Sequence, residues 1–183
     1  MNAKTEHAAR LRDKDFFSLA SAGLGLLAIF VAIGIVNANA AWLPVDLAAT
    51  AILIAAAFDY LDGKIARAEK EANPFGRELD SLCDAVAFGV APIVYVAWYA
   101  PAIASQFWGV GLASLFFYGL AAIVRLAWFN VQEDRTHYYG LIVPVAAVLV
   151  LLSVWLLAAN AWIALFVIGA LMLSRFKWRK PSL

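Results

Sequence analysis

Residues 59 to 84 hold four aspartates and an arginine at fixed gaps: Asp59-x-x-Asp62-Gly63-x-x-Ala66-Arg67, eight residues, then Gly76-x-x-x-Asp80-x-x-x-Asp84. Carboxylates are costly to bring into a membrane, and a group of them at the edge of apolar segments marks a functional site. Oxygen donors suit a hard divalent cation such as Mg²⁺ or Mn²⁺. One or two such ions would relieve the repulsion among four converging carboxylates. They would also polarise a phosphoryl group and stabilise its leaving oxygen. A carboxylate not fully occupied by metal can take a proton from an attacking hydroxyl.

The spacing places these groups on two helix faces. Asp59, Asp62, Gly63 and Ala66 fall at i, i+3, i+4 and i+7, and Asp80 and Asp84 at i and i+4, with Gly76 one turn earlier. Asn73-Pro74 between them is a turn signal, so the two faces belong to antiparallel neighbours joined by a short loop. Gly63, Ala66, Gly76, Ala85 and Gly89 remove bulk, which permits close helix approach and leaves room for a pyrophosphate. Arg67 offers a planar fork to phosphate oxygens. Glu69, Lys70, Glu71, Arg77 and Glu78 read as ordinary solvated surface. That reading does not extend to Asp80 and Asp84, which lead into the apolar run 85–100. Cys83 is the single cysteine, which excludes an intramolecular disulfide, and it reads as a small packing residue.

The elements that must position these groups are membrane helices. The chain of 183 residues is 64% hydrophobic and 15% charged, against about 45–50% and about 25% for soluble domains. Apolar runs at 16–37, 43–66, 79–100, 105–129 and 139–159 are long enough to span. A shorter run, 161–174, can span if Arg175 and Lys177 snorkel to the interface. The expectation is an all-α integral membrane bundle of six transmembrane helices, one domain over 1–183, with 1–15 as a juxtamembrane segment. Thr5 to Asp15 is read either as an amphipathic interfacial helix or as a solvated tail. No signal-peptide pattern opens the chain.

All 14 Lys and Arg fall before the first helix, between the second and third, around the fourth-to-fifth connection, or after the sixth. The opposite connections near Asn39, Pro101 and Asn160 carry none. This asymmetry predicts cytoplasmic termini and a cytoplasmic motif in the cell (plasma) membrane. Trp42, Trp98, Trp108 and Trp162 read as outer interfacial anchors and Trp178 as an inner one. His7 and His137 read as interfacial polar residues. The scattered basic residues give no sign of nucleic-acid binding.

The aspartate pattern is similar to the signature of the CDP-alcohol phosphotransferase family at all eight fixed positions. The resemblance implies a reaction in which an alcohol hydroxyl attacks the β-phosphate of a CDP-linked lipid and CMP leaves. It implies that Asp59, Asp62 and Asp80 are metal ligands, and that Asp84 is the general base and also touches metal. Gly63 and Arg67 would contact the CDP pyrophosphate, beside Ala66 and Gly76. The resemblance also implies a homodimer. A narrower likeness is to membrane-embedded phosphatidylserine synthases. It rests on Glu78 to Pro92 (ELDSLCDAVAFGVAP), Arg125-Leu-Ala-Trp-Phe-Asn130, Gly140-Leu-Ile-Val-Pro144, Asp15-Phe-Phe-Ser18-Leu-Ala-Ser21 and Gly25-Leu26. Trp128, Ile142 and Ser21 depart from that branch, where an arginine, a proline and an asparagine are usual. Ser18 and Ser21 are candidate contacts to cytidine or its ribose. Arg125, with Asn130, is a candidate contact to the acceptor.

The expected function is transfer of a phosphatidyl group from CDP-diacylglycerol, or an archaeal ether analogue, to L-serine. A phosphorylated acceptor, glycerol 3-phosphate or inositol phosphate, would want several basic residues, and the later helices offer Arg125 and Arg135. A divalent-cation transporter is the reading from a different class. It would place its acids near the midplane on broken helices, whereas these sit at one end.

Overall fold

The computed structural model describes residues 15–34, 46–68, 74–99, 108–132, 137–157, 160–174 and 177–179, with no side-chain description at 46, 62, 65–68, 99, 108, 137–139 and 177–179. The helices are α1 (Asp15–Ala32), α2 (Asp46–Ala68), α3 (Pro74–Asp84), α4 (Ala91–Tyr99), α5 (Trp108–Val131), α6 (Val143–Leu157) and α7 (Ala161–Leu173). A π-helical segment, Ala85–Val90, joins α3 to α4 in one rod, so the described residues form six rods. Asp15–Ala32, Pro74–Trp98 and Gly109–Val131 are long and apolar enough to cross a membrane, and the other rods hold shorter apolar stretches. Their outer surface is apolar too: Phe116, Leu120, Trp155 and Leu156 are exposed. A surface so apolar belongs against lipid rather than water. The suggested amphipathic segment before α1 lies outside the described residues.

Two boundaries depart from the apolar runs for local reasons. The third rod begins at Pro74, before the apolar run starts, because a helix can extend its first turns through polar surroundings. Proline suits that first position, where no intrahelical N–H is needed. The fifth run starts at 139, but α6 starts at Val143. His137–Tyr139 instead forms a short strand, β1, antiparallel to β2 (Lys177–Arg179), with Tyr138 opposite Trp178. Gly140 then turns the chain with φ 65°, a conformation open to glycine because it has no Cβ.

The third rod is the centre of the bundle. Its π segment touches α1, α2, α5 and α6. Pro92 accounts for the widened turn. Inside an α-helix its ring would clash with the carbonyl of Phe88 and could not donate to it. The backbone opens instead, and the Ala91 N–H donates to Val86 O, five residues back. The Phe88 carbonyl receives the Tyr118 hydroxyl of α5 at 2.9 Å, in a fully buried contact. On the other side, a Cβ at Gly25 would lie 2.6 Å from Ala87 Cα, so the backbones of α1 and the π segment touch. Ala28, Ala48, Ile52, Phe88, Tyr95, Val96, Tyr118 and Ala122 fill the core around this contact.

Candidate active site

The site lies where α1, α2 and α3 meet. α1 turns one face inward, with Asp15, Ser18, Ser21, Gly25 and Ala28 all buried. α2 brings Asp59, half-buried, and α3 brings Asp80, half-buried, and Asp84, buried at 8% exposure. One carboxylate oxygen from each of these three aspartates lies within 4.8 Å of the others. At that separation two unit charges repel by about 3.5 kcal/mol for an effective dielectric near 20. A divalent cation bound by the three oxygens would reverse the sign of that energy. The donor set, all oxygen and drawn from two helices, therefore fits a hard metal ion.

Helix phase explains the convergence. Asp80 and Asp84 are one turn apart on α3, and residues four apart share a face. Asp59 lies near the end of the apolar stretch Leu47–Leu61 of α2. The Ser18 hydroxyl donates to Asp80 Oδ1 at 3.1 Å, so α1 fixes the rotamer of a potential ligand. Support of this kind orients ligands and tunes their basicity.

The other residues singled out from sequence divide into three groups. Gly63 is exposed on α2 and Gly76 half-buried in the first turns of α3. Asp62, Ala66 and Arg67 lie on the α2 backbone, but their side chains fall outside the described residues. Ser21 is 1% exposed, and its Oγ has no hydrogen-bond partner among the described residues. The last group belongs to α5. Asn130 accepts a hydrogen bond from Ser81 at 2.9 Å and donates to Glu78 at 3.3 Å. Arg125 is buried at 4% exposure, and its Nε donates to the Leu141 carbonyl at 3.2 Å. Trp128, at the departure from the serine branch, faces outward at 48% exposure.

Two contacts fix the register of α5 against the third rod. Tyr118 meets Phe88 deep in the bundle, and Asn130 meets Ser81 near its end. Asp84 lies between Ser81 and Phe88 on one rod, and Arg125 lies between Tyr118 and Asn130 on the other. Arg125 and Asp84 therefore sit at the same level, each on a buried face.

Sequence reasoning assigned no role to Asp15 or Ser81. Asp15 is 3% exposed at the start of α1, one turn before Ser18 on the same buried face. Its place in the i, i+3, i+6 pattern with Ser18 and Ser21 was the available signal. Ser81 carried none, because its partner Asn130 is 49 residues away.

A helical membrane bundle with convergent carboxylates at one end of its central rod defines a class of metal-competent intramembrane site. The comparison with known families is specific: the CDP-alcohol phosphatidyltransferase model matches residues 15–175, and the chain belongs to that family. It is 37% identical over 145 residues to the CDP-diacylglycerol–serine O-phosphatidyltransferase of Helicobacter pylori (strain J99), covering 78% of this chain and 56% of the relative. It is 35% identical over 138 residues to the archaetidylserine synthase of Methanothermobacter thermautotrophicus, covering 73% of this chain and 54% of the relative. A yeast relative, the CDP-diacylglycerol–serine O-phosphatidyltransferase of Saccharomyces cerevisiae, is 36% identical over 110 residues, 55% of this chain and 38% of that protein. The chain thus spans about half the length of the first two relatives.

Proposed function

We propose that the chain transfers a phosphatidyl-type group from a CDP-linked lipid to the hydroxyl of L-serine. The new bond joins the serine oxygen to the β-phosphorus. The bond from that phosphorus to the bridging pyrophosphate oxygen breaks, and CMP leaves. The observation that carries this reading is the convergence of Asp59, Asp80 and Asp84 from two adjacent helices within 4.8 Å. Serine-specific names among the relatives support the choice of acceptor.

Asp59, Asp80 and Asp84, with Asp62 from the same face of α2, would hold Mg²⁺ or Mn²⁺. An ion held there would supply charge neutralisation at the pyrophosphate and polarisation of the phosphoryl oxygen. Asp84, the most buried of the three described aspartates, takes the proton of the attacking hydroxyl. Ser18 holds Asp80 in place. Gly63, Ala66, Arg67 and Gly76 make room for and bind the pyrophosphate, and Ser21 offers its hydroxyl to the nucleoside. Arg125, at the level of Asp84, meets the serine carboxylate as a planar cation. The distribution of Lys and Arg supports a cytoplasmic active site in the plasma membrane, and the family resemblance supports a homodimer.

The test is CMP release by purified protein with a CDP-lipid, Mn²⁺ and a panel of alcohols: L-serine, glycerol 3-phosphate and inositol phosphate. Serine should give by far the fastest release, and a chelator should stop it. Turnover with a phosphorylated acceptor instead would move the assignment to another branch of the family. Metal flux into liposomes without CMP release would replace the enzyme reading with transport.

A further inference from the structure

We propose that the β1–β2 ribbon is a positioning device for Arg125, and through it sets affinity for the carboxylate of the acceptor. The inference rests on the reading of Arg125 as the acceptor contact. A guanidinium is a rigid planar fork. Fixing its Nε on a carbonyl fixes the plane in which the other N–H groups point. Here that carbonyl is Leu141 O, at 3.2 Å.

Leu141 is itself held from the far end of the chain. Its N–H donates to Leu171 O of α7 at 3.2 Å. Gly140, beside it, is wedged under the same helix end. A Cβ there would meet Met172 O at 2.6 Å and Ser174 O at 2.8 Å, and the φ of +65° already disfavours a side chain. β1 ends at Tyr139, the residue before this wedge, and β2 begins three residues after Ser174. The ribbon therefore pairs the strand that leads into the Gly140 turn with the strand that begins three residues past Ser174. It ties the α5–α6 connection to the chain that follows α7, and the tie ends on the carbonyl that orients Arg125. A guanidinium fixed in advance loses less freedom when an anion binds, so the device acts on affinity rather than on the chemical step.

The experiment uses the full chain and measures serine KM, CDP-lipid KM and kcat at saturating serine. Gly140→Ala and Trp178→Pro disturb the wedge and the ribbon separately, and Trp178→Phe keeps the strand backbone. The first two should each raise serine KM about tenfold, with kcat and CDP-lipid KM held within about twofold, as a loss of preorganisation requires. Trp178→Phe should leave all three unchanged. Arg125→Lys should raise serine KM by itself, and adding Gly140→Ala should raise it no further, because both changes act on one interaction. A multiplicative double variant, or a parallel fall of kcat and of affinity for both substrates, would overturn the positioning role. Where Gly140→Ala does not fold, Trp178→Pro decides alone and in combination with Arg125→Lys. If Arg125→Lys raises serine KM but the ribbon variants do not, the positioning role falls and Arg125 stays the acceptor contact. An unchanged serine KM in Arg125→Lys removes both.

Discussion

The aspartate cluster and buried Arg125 lie at one level of the same bundle, yet they are positioned by different means. The cluster is made by side chains at helical spacing on neighbouring rods: Asp80 and Asp84 one turn apart, Asp59 opposite, and Ser18 reaching across. Arg125 is held by backbone. The loop carbonyl of Leu141 accepts from the Arg125 guanidinium, the Leu141 N–H donates to the Leu171 carbonyl at the end of α7, and Gly140 turns the chain beside them with positive φ. The first arrangement suits a ligand of fixed charge that needs several donors at once. The second suits selection of an acceptor, since loops change more readily than the rods they join. On the proposed function, the metal-competent part is built from rods, and the acceptor contact is a rod residue aimed by a connection.

Substitutions that act on only one of the two regions would sharpen this contrast. The largest effect is expected in the cluster. Asp84→Asn should lower kcat by about a thousandfold, within the range for loss of a general base, while CDP-lipid binding and thermal unfolding stay near the parent values. Near-full turnover in that variant would remove Asp84 from the chemistry. Ser18→Ala should weaken Mn²⁺ binding by about tenfold or more, as loss of a ligand-orienting hydrogen bond does. This can be followed by the metal-induced rise in melting temperature, without turnover. An unchanged metal affinity would make the Ser18–Asp80 bond a packing detail.

Gly25→Val tests the close approach of α1 to the π segment. Its side chain has to displace Ala87, at a cost of about 1–3 kcal/mol for overpacking, and the strain should reach metal affinity through Ser18. A stable variant with normal metal binding would mean that α1 can move without disturbing the cluster. The smallest effect is expected for Tyr118→Phe. It strips the Phe88 carbonyl of its hydroxyl partner and should cost about 1 kcal/mol of stability, the usual scale for one such bond in a membrane. Both substrate affinities should be preserved.

The two regions were also unequally legible in the sequence. Asp59, Asp80 and Asp84 could be grouped from spacing because helical periodicity converts sequence separation directly into a shared face. The apolar runs marked the rods for the same reason. The start of the third rod was marked by the Asn73-Pro74 turn signal and by Gly76 one turn before Asp80, and not by the apolar run, which reports where lipid begins rather than where hydrogen bonding begins. Arg125 could be recognised as a cation inside an apolar helix, but its partner could not. Leu141 contributes only a main-chain carbonyl, which every residue carries. β1 and β2 were equally invisible. Each is three residues long and its partner is distant, so no alternation builds up. Asp62 and Arg67 rest on helical spacing and on the family pattern, since their side chains lie outside the described residues.

The π segment has a further consequence for the rod that carries Asp80 and Asp84. A π turn takes up about one residue more than an α turn, and one residue of an α-helix corresponds to a rotation of about 100°. The six residues Ala85–Val90 therefore act as an angular coupling between two shafts. One shaft carries Asp80 and Asp84 of the aspartate cluster, and the other seats Tyr95 and Val96 in the apolar interior. Shortening the coupling by a single residue would swing the acids through more than a quarter of a circle without unseating the interior half, so aim and anchorage can be adjusted independently on one continuous backbone.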